Sequence, residues 1–425
     1  MAEIKPFRGL LYNGEKVNIT KAVTPPYDVI SPGMQARFYN SDPHNVIRLI
    51  LGKEGKKDTP RKNKYTRSAA FLRQWTGKKV LIKDARPAVY IYAQEYFHKG
   101  KKRRRIGFIA LMKIEDPKKS GILPHEYTLN KPKADRMSLI TETEANLSPI
   151  FCLFQDRDNG INRILKSFIK SKKALFTVRT EGVTHRLWRA GRKSVVRKIT
   201  GRMRGRKIFI ADGHHRYEVA LAYRNKARKS KGYKKNAEHV MVYFSNLSER
   251  QNLTILSTHR VVKNIPLFRA EKVIAALKKY FLVKRAANAD ALLARLEKTP
   301  KNKYFFGAYT GGKSYLLSLK RKYSAADVAN PGKSGTLQRL DVTILHDLVI
   351  DKILGVKNRE NSIKYARDKG TAVSLVKNGG YEAAFFLRPT RVSEMTRIAR
   401  KGVMMPQKST YFYPKLLTGL VINKF

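Results

Sequence analysis

The segment 207–224, Lys-Ile-Phe-Ile-Ala-Asp-Gly-His-His-Arg-Tyr-Glu-Val-Ala-Leu-Ala-Tyr-Arg, constrains the fold more than any other part of the chain. Its apolar run Ile208, Phe209, Ile210, Ala211 predicts a short buried strand. Asp212-Gly213 breaks that run, and a helix is expected beyond it, with Tyr217, Ala220, Leu221 and Arg224 on one face. Asp212 is the expected N-cap, which crowds His214, His215 and Arg216 into the first helical turn. Cations at that point face the positive end of the helix dipole and its unpaired N–H groups, which costs free energy. An anion held there, above all a phosphate, offsets the cost. The plainer alternative is a capped helix with two solvated histidines.

A chain of 425 residues with 42% hydrophobic residues, 21 Tyr and 19 Phe can build a real core and is expected to divide into more than one packed unit. Its formal charge of +57 points toward polyanions. The basic residues are scattered, however, with only short clusters at 99–105, 202–207 and 224–235. That distribution predicts salt-sensitive, non-specific sticking rather than a dedicated nucleic-acid face. The lone Cys152 excludes an intramolecular disulfide and a cysteine-rich zinc site. Residues 1–16 hold no apolar run of signal-peptide length, and no stretch approaches membrane-spanning length, so the expectation is a cytoplasmic protein without a membrane partner.

Along the chain, strands are expected at 45–50, 88–97, 105–113, 174–188, 240–245 and 253–262, and helices at 34–40, 64–75, 160–172, 269–280, 290–298 and 342–354. The two kinds alternate without a βαβ rhythm. The fold class is therefore α+β, with mixed sheets flanked by helices. Pro266 marks the expected internal boundary, between an α/β unit at 1–265 carrying the Asp212 motif and an α+β unit at 266–425 completing the site.

Two further segments carry candidate chemistry. Residues 123–136 read as a proline-punctuated loop holding His125, Glu126, Lys131, Lys133, Asp135 and Arg136. Phosphoryl transfer relies on positioning and electrostatics, and this loop has the groups for both. Glu126 could take a proton from a hydroxyl acceptor while Lys131, Lys133 and Arg136 steady phosphates. Residues 404–414 offer Lys408, Ser409 and Thr410 to phosphates and Tyr411 or Tyr413 to a base, or else dock their aromatics into the core. Pro25, Pro26, Tyr27 and Asp28 could line the same cleft.

Gly307-Ala-Tyr-Thr-Gly-Gly-Lys-Ser314 satisfies the written P-loop pattern, but strand-like sequence on both sides makes it a hairpin around Gly311-Gly312. Adjacent His214 and His215 diverge on a helix and chelate poorly together, so a magnesium ion brought by a nucleotide and held by Asp212 or Glu126 is the favoured metal. Cys152 is expected in the core.

A series of ordered landmarks resembles the family known as domain of unknown function 1015, often labelled as similar to the chromosome-partitioning ParB group. They include Pro25-Pro26-Tyr27-Asp28, Pro43-His44-Asn45, Pro124-His125-Glu126, Asn146-Leu147-Ser148-Pro149, Ala211-Asp212-Gly213-His214-His215-Arg216, Thr258-His259-Arg260 and Met405-Pro406-Gln407-Lys408. Asp212-Gly213-His214-His215-Arg216 is also similar to the motif of free L-serine kinases of the ParB/sulfiredoxin superfamily, which phosphorylate serine from ADP or ATP. The resemblance implies a ParB/sulfiredoxin-like core, ATP or ADP with Mg2+ as cofactor, and a nucleotide and a small molecule as partners. With the motif residues added to those read from the two loops, Asp212, His214, His215, Arg216 and Glu126 are the catalytic candidates, and Gly213, Lys131, Lys133, Arg136, Lys408, Ser409 and Thr410 are the candidates for binding phosphate or nucleotide. The expected function is phosphotransfer to a small hydroxylated metabolite such as free L-serine. The alternative is a ParB-like nucleotide- or DNA-binding protein without turnover.

Overall fold

The computed structural model describes residues 3–230 and 235–425, so Lys231 and Lys234 of the basic cluster at 224–235 lie outside the described residues. The chain groups into two compact units. Unit 1 comprises residues 1–124, 128–254 and 414–425; unit 2 comprises 125–127 and 255–413.

Unit 1 is built on nine strands: β1 (Ile4–Lys5), β2 (Val89–His98), β3 (Lys101–Lys113), β4 (Ile122–Leu123), β5 (Ile150–Phe154), β6 (Phe176–Thr180), β7 (Val183–Ala190), β8 (Ile208–Asp212) and β9 (His239–Asn246). They run side by side as β4-β8-β5-β9-β3-β2-β7-β6, with β1 beside β3. The β4/β8 and β5/β9 pairs are parallel and the others antiparallel. Its longer helices include α1 (Lys64–Gly77), α2 (Asn130–Thr143), α3 (Gly160–Lys170), α4 (Lys193–Met203) and α5 (His214–Ala227).

Alternation along the strands assigns the two faces. Val89, Ile91, Ala93, Phe108, Cys152 and Phe244 join Ile161 and Leu165 of α3, Ile199 and Met203 of α4, and Tyr217 and Ala220 of α5 in one core. Burying each of the Val, Ile, Leu, Phe and Met side chains among them contributes about 1.5–3 kcal/mol. The residues between them, Tyr92, Gln94 and Arg105, are buried too, so both faces are covered and the strands read as continuous runs rather than alternating ones.

On that second face the C-terminal segment is tied down by polar contacts. Gln94 donates to the Lys415 carbonyl at 2.8 Å, Arg105 to Gln94 and to the Pro414 carbonyl, and the Leu417 N–H to the Tyr92 hydroxyl at 3.2 Å. Tyr92 also meets His185 Nδ1 at 2.6 Å. Arg105, the last residue of the basic cluster at 99–105 and the first of the strand expected at 105–113, is fully buried and lies 4.7 Å over the Phe151 ring.

Unit 2 carries an antiparallel six-stranded sheet of β10 (His259–Val262), β11 (Phe281–Ala286), β12 (Phe305–Thr310), β13 (Lys313–Leu319), β14 (Ile363–Ala366) and β15 (Ala383–Phe386), in the order β11-β13-β12-β15-β10-β14. Helices α6 (Ala270–Tyr280), α7 (Ala289–Glu297), α8 (Lys369–Lys377) and α9 (Val392–Arg400) belong to it, and Leu292, Leu296 and Ala372 from α7 and α8 pack on Val261, Tyr309 and Phe386. The P-loop-like octapeptide is the β12–β13 hairpin: Thr310 pairs with Lys313, and Gly311 and Gly312 have φ of 55° and 72°. A strand, not a helix N-terminus that could receive a phosphate, follows the glycines.

The α+β class with mixed sheets and flanking helices is as the sequence predicts. Three local expectations differ. The strand expected at 45–50 is a short helix, Ile47–Ile50, because Asn45 accepts from the Ile47 N–H at 2.8 Å and its amide donates to the Lys21 carbonyl at 2.6 Å. The loop expected through residue 136 becomes helix α2 at Asn130, and Pro132 is tolerated there because first-turn N–H groups have no helical partner. The helix expected at 342–354 is α-helical only over Asp341–Ile344 and continues as a π-helix, Leu345–Ile353. Among the described residues no helix is long and apolar enough to cross a membrane.

Candidate functional site

The strand–turn–helix at 208–227 forms as the sequence predicts, with an added irregularity. The β8/β5 register shifts between Ile210 and Asp212, so the strand bulges just before its last residue and re-aims Asp212. The helix cap is then Gly213, not Asp212: Gly213 stands at φ 92°, ψ 31°, and no side chain caps the helix. That backbone favours glycine, and a Cβ there would lie 2.9 Å from the Arg216 guanidinium.

Released from capping, the Asp212 carboxylate takes the Arg216 Nη2–H at 2.8 Å and pairs with the Lys415 ammonium. Arg216 also donates to the Pro149 carbonyl at 2.5 Å. Two cations therefore meet one carboxylate at the positive end of the helix dipole. Neither histidine is a solvated bystander. His214 is buried, and His215 Nε2 accepts from the Leu129 N–H at 2.9 Å. An accepting Nε2 carries no proton, which leaves the ring proton on Nδ1.

The second half of the 123–136 segment comes to the same helix. Glu218 on α5 accepts from the Thr128 hydroxyl at 2.7 Å and pairs with Lys133 at 3.3 Å. Arg136 lies 4.0 Å over the Tyr27 ring, donates to the Ile50 carbonyl at 2.9 Å and is paired with Asp135. Burial acts to raise the Asp135 carboxyl, but Arg136, the Tyr65 hydroxyl and Lys64 outweigh it and hold it below its usual range. Arg136 and Arg216 line one partly open pocket, with Tyr27, Asn146, Ser148 and the apolar Leu139. Two guanidiniums, hydroxyls and an amide over an apolar wall suit a small ligand with an anionic end. Lys131 is exposed and does not line this pocket.

The remaining candidates belong to unit 2. Glu126 accepts from the Lys408 N–H at 2.9 Å, and buried His125 meets the Thr410 hydroxyl at 3.0 Å. The Ser409 hydroxyl donates to the Pro406 carbonyl at 2.5 Å, and Lys408 adopts a left-handed φ of 54°. The hydroxyls proposed for phosphates are thus engaged by internal partners in a buried strut. Among the described residues no group of three His, Cys, Asp or Glu could hold a metal ion. Cys152 is buried in the core, and burial pushes its thiol well above the ordinary range.

Lys415 is the candidate side chain that sequence reasoning missed. It stands one residue past the 404–414 segment, and only the threading of the C-terminal segment over the sheet brings it to Asp212. Asn146 and Ser148 appear in the sequence only as landmarks of the resemblance, without a role; Tyr27 does line the pocket with Arg136.

Comparison with known proteins bears out the family expectation, with the landmark at 405–408 lying beyond the matched residues. A family described as "Protein of unknown function (DUF1015)" matches residues 4–343. No curated protein matches the chain. Among solved structures, a conserved hypothetical protein from Pyrococcus furiosus is 15% identical at a TM-score of 0.34, covering 70% of this chain and 89% of its own. A free serine kinase in complex with AMP is 14% identical at 0.33, with 69% and 83% covered. SbnI with C-terminal truncation from Staphylococcus aureus is 14% identical at 0.35, with 73% and 85% covered. Likenesses of that size carry over neither a site nor an activity. The match over 340 of 425 residues does establish the family: the chain belongs to DUF1015.

Proposed function

We propose that this DUF1015 protein is a nucleotide-dependent phosphotransferase acting on a small hydroxylated metabolite, with free L-serine the favoured acceptor. The observation that carries the reading is the Asp212 carboxylate, held between Arg216 and Lys415 at a strand-to-helix turn whose arginine also lines a pocket with Arg136.

Phosphoryl transfer asks for positioning and charge stabilisation more than for strong bases. In this reading Asp212 accepts the hydrogen bond of the acceptor hydroxyl and takes its proton as the phosphoryl group arrives. Arg216 exchanges part of its contact with Asp212 for the transferring oxygens, and a guanidinium can hold two of them at once. Gly213 allows the backbone to approach the phosphate, and His215, fixed by the Leu129 N–H, keeps the turn in place. Asp212 by itself is one carboxylate, too few for a cage. Magnesium would therefore arrive on the phosphates of ATP or ADP. For an acceptor such as serine, Arg136 offers a second guanidinium for its carboxylate.

The test is phosphoryl transfer from ATP or ADP to a panel of free amino acids and polyols, read by mass spectrometry. A phosphorylated amino acid, serine foremost, is expected. Absence of any phosphorylated acceptor, together with duplex DNA binding that serine leaves unchanged, would favour the ParB-like alternative. Salt-sensitive sticking to DNA by itself distinguishes nothing at a charge of +57.

A further inference from the structure

Arg260 of unit 2 is 2% exposed, yet among the described residues no carboxylate lies within ion-pair distance of it. Its Nε–H donates to His346 Nε2 at 3.1 Å, Nη1 to the Thr258 carbonyl, and Nη2 to the Gln407 and Lys408 carbonyls at a long 3.3 Å each. An Nε2 that accepts carries no proton, and burial holds His346 well below its ordinary range, so that partner is neutral. Burial draws Arg260 down to about 10, which still leaves it charged at neutral pH. Glu126 reaches it only through its field. Taking a guanidinium out of water without an anion is expensive, and its carbonyl partners and the Tyr365 ring, 5.2 Å from the guanidinium carbon, offset only part of the cost.

Arg260 lines a small pocket, partly open to solvent, together with Thr258, Arg388, Asp341, Thr390, Ser409 and Glu394; Glu394 is paired with Arg391. The other guanidinium there is already compensated. Arg388 donates to Asp341 at 3.0 Å and to the carbonyls of Pro300 and Lys303 at 2.8 and 2.7 Å. The hydroxyls of Thr390 and Ser409 are spent on the carbonyls of Ser409 and Pro406. Thr258 is different: it is 7% exposed and its hydroxyl is buried without any hydrogen-bond partner. An unbonded buried hydroxyl and an uncompensated buried cation in the wall of one pocket both call for the same thing, an acceptor with negative charge.

We infer that this pocket of unit 2 binds a small oxyanion, a carboxylate or a phosphate, that bridges the Arg260 guanidinium and the Thr258 hydroxyl. The inference does not rest on the phosphotransfer reading, which uses residues of unit 1. No covalent step is involved: the anion completes the charge of the cluster and accepts from both groups.

The test is calorimetric titration of the full chain with inorganic phosphate and, separately, with acetate, at an ionic strength fixed by sodium chloride. Wild type is compared with Thr258→Val, Arg260→Lys and Asp212→Asn. At least one anion is expected to bind wild type. Thr258→Val keeps the shape and removes only the hydroxyl, so it should weaken that anion about tenfold or more, with a thermal midpoint unchanged or raised. Arg260→Lys should weaken it further. Tighter binding of phosphate than of acetate would assign the ligand to phosphates, and the reverse order to carboxylates. Failure of both anions to bind wild type would overturn the inference, as would undiminished binding by Thr258→Val. Binding lost in Asp212→Asn but kept in Thr258→Val would move the anion to unit 1 and overturn it equally, even where Arg260→Lys fails to fold.

Discussion

Replacing Gly213 by alanine separates a strained turn from a working one. At φ 92° an alanine adopts left-handed backbone, which costs about 1–2 kcal/mol. The new Cβ also starts 2.9 Å from three atoms of the Arg216 guanidinium, so that group must retreat by about 0.5–1 Å to reach ordinary contact distance. Arg216 is pinned by the Pro149 carbonyl and by Asp212, so the retreat disturbs the pair on which the proposed chemistry rests. Misplacement on that scale costs about 10²-fold in rate. Gly182 is the control: it turns the β6–β7 hairpin at φ 73°, and a Cβ there would meet nothing within 4 Å. Gly182→Ala should therefore lose about 1–2 kcal/mol by the same backbone strain and nothing in turnover. The assay is a urea melt of each variant beside phosphoryl transfer from ATP or ADP to serine. If Gly213→Ala turns over like wild type, or if Gly182→Ala loses as much activity, the turn does not position Arg216 for chemistry.

Three further outcomes follow from the same geometry. Arg216→Lys should lower turnover about 10²-fold at nearly unchanged stability, because a point charge cannot span Asp212, the Pro149 carbonyl and a phosphate together; urea melts and turnover measured on one preparation check this. Stability should fall as the pH drops from 7 to 5. His185, held at about 3 by burial and by Arg105, stays neutral in the fold while the unfolded chain takes up a proton below 6.5. That difference is worth about 2 kcal/mol at pH 5, and His239 and His259, both held at about 4, act in the same direction. A melting temperature independent of pH across that range would contradict the buried, neutral assignment. Lys415→Met should lower turnover while leaving the fold intact, since its backbone carbonyl, which anchors the segment to Gln94, is retained; circular dichroism beside the transfer assay checks it.

The strand–turn–helix at 208–227 is legible in the sequence because periodicity reports burial directly, and the α+β class follows from the irregular alternation of elements. The hairpin beneath the P-loop pattern is legible for the same reason: strand-like residues flank it on both sides. What a sequence does not display are contacts made by topology. Lys415 reaches Asp212 only because Gln94, Arg105 and Tyr92 anchor the C-terminal segment across the sheet. Arg105 reads only as one more cation of the 99–105 cluster at the start of a strand, yet it is buried there as an anchor. Residues 45–50 read as a strand because a short buried helix and a short buried strand share an apolar run, and the deciding group is one asparagine side chain. Asp212 reads as a cap because its residue type favours that role, while the bulge before it and the glycine after it pass the cap to Gly213.

Phosphoryl transfer at Asp212 is tested most directly by 31P NMR of wild type and Asp212→Asn incubated with L-serine, magnesium and either ATP or ADP. A phosphomonoester resonance of O-phosphoserine should grow with wild type, matched by loss of one phosphate from the nucleotide. It should form about 10²–10³-fold more slowly with Asp212→Asn at equal stability. Equal rates in the two proteins, or a nucleotide spectrum unchanged by serine in wild type, would contradict a phosphotransferase built on this carboxylate.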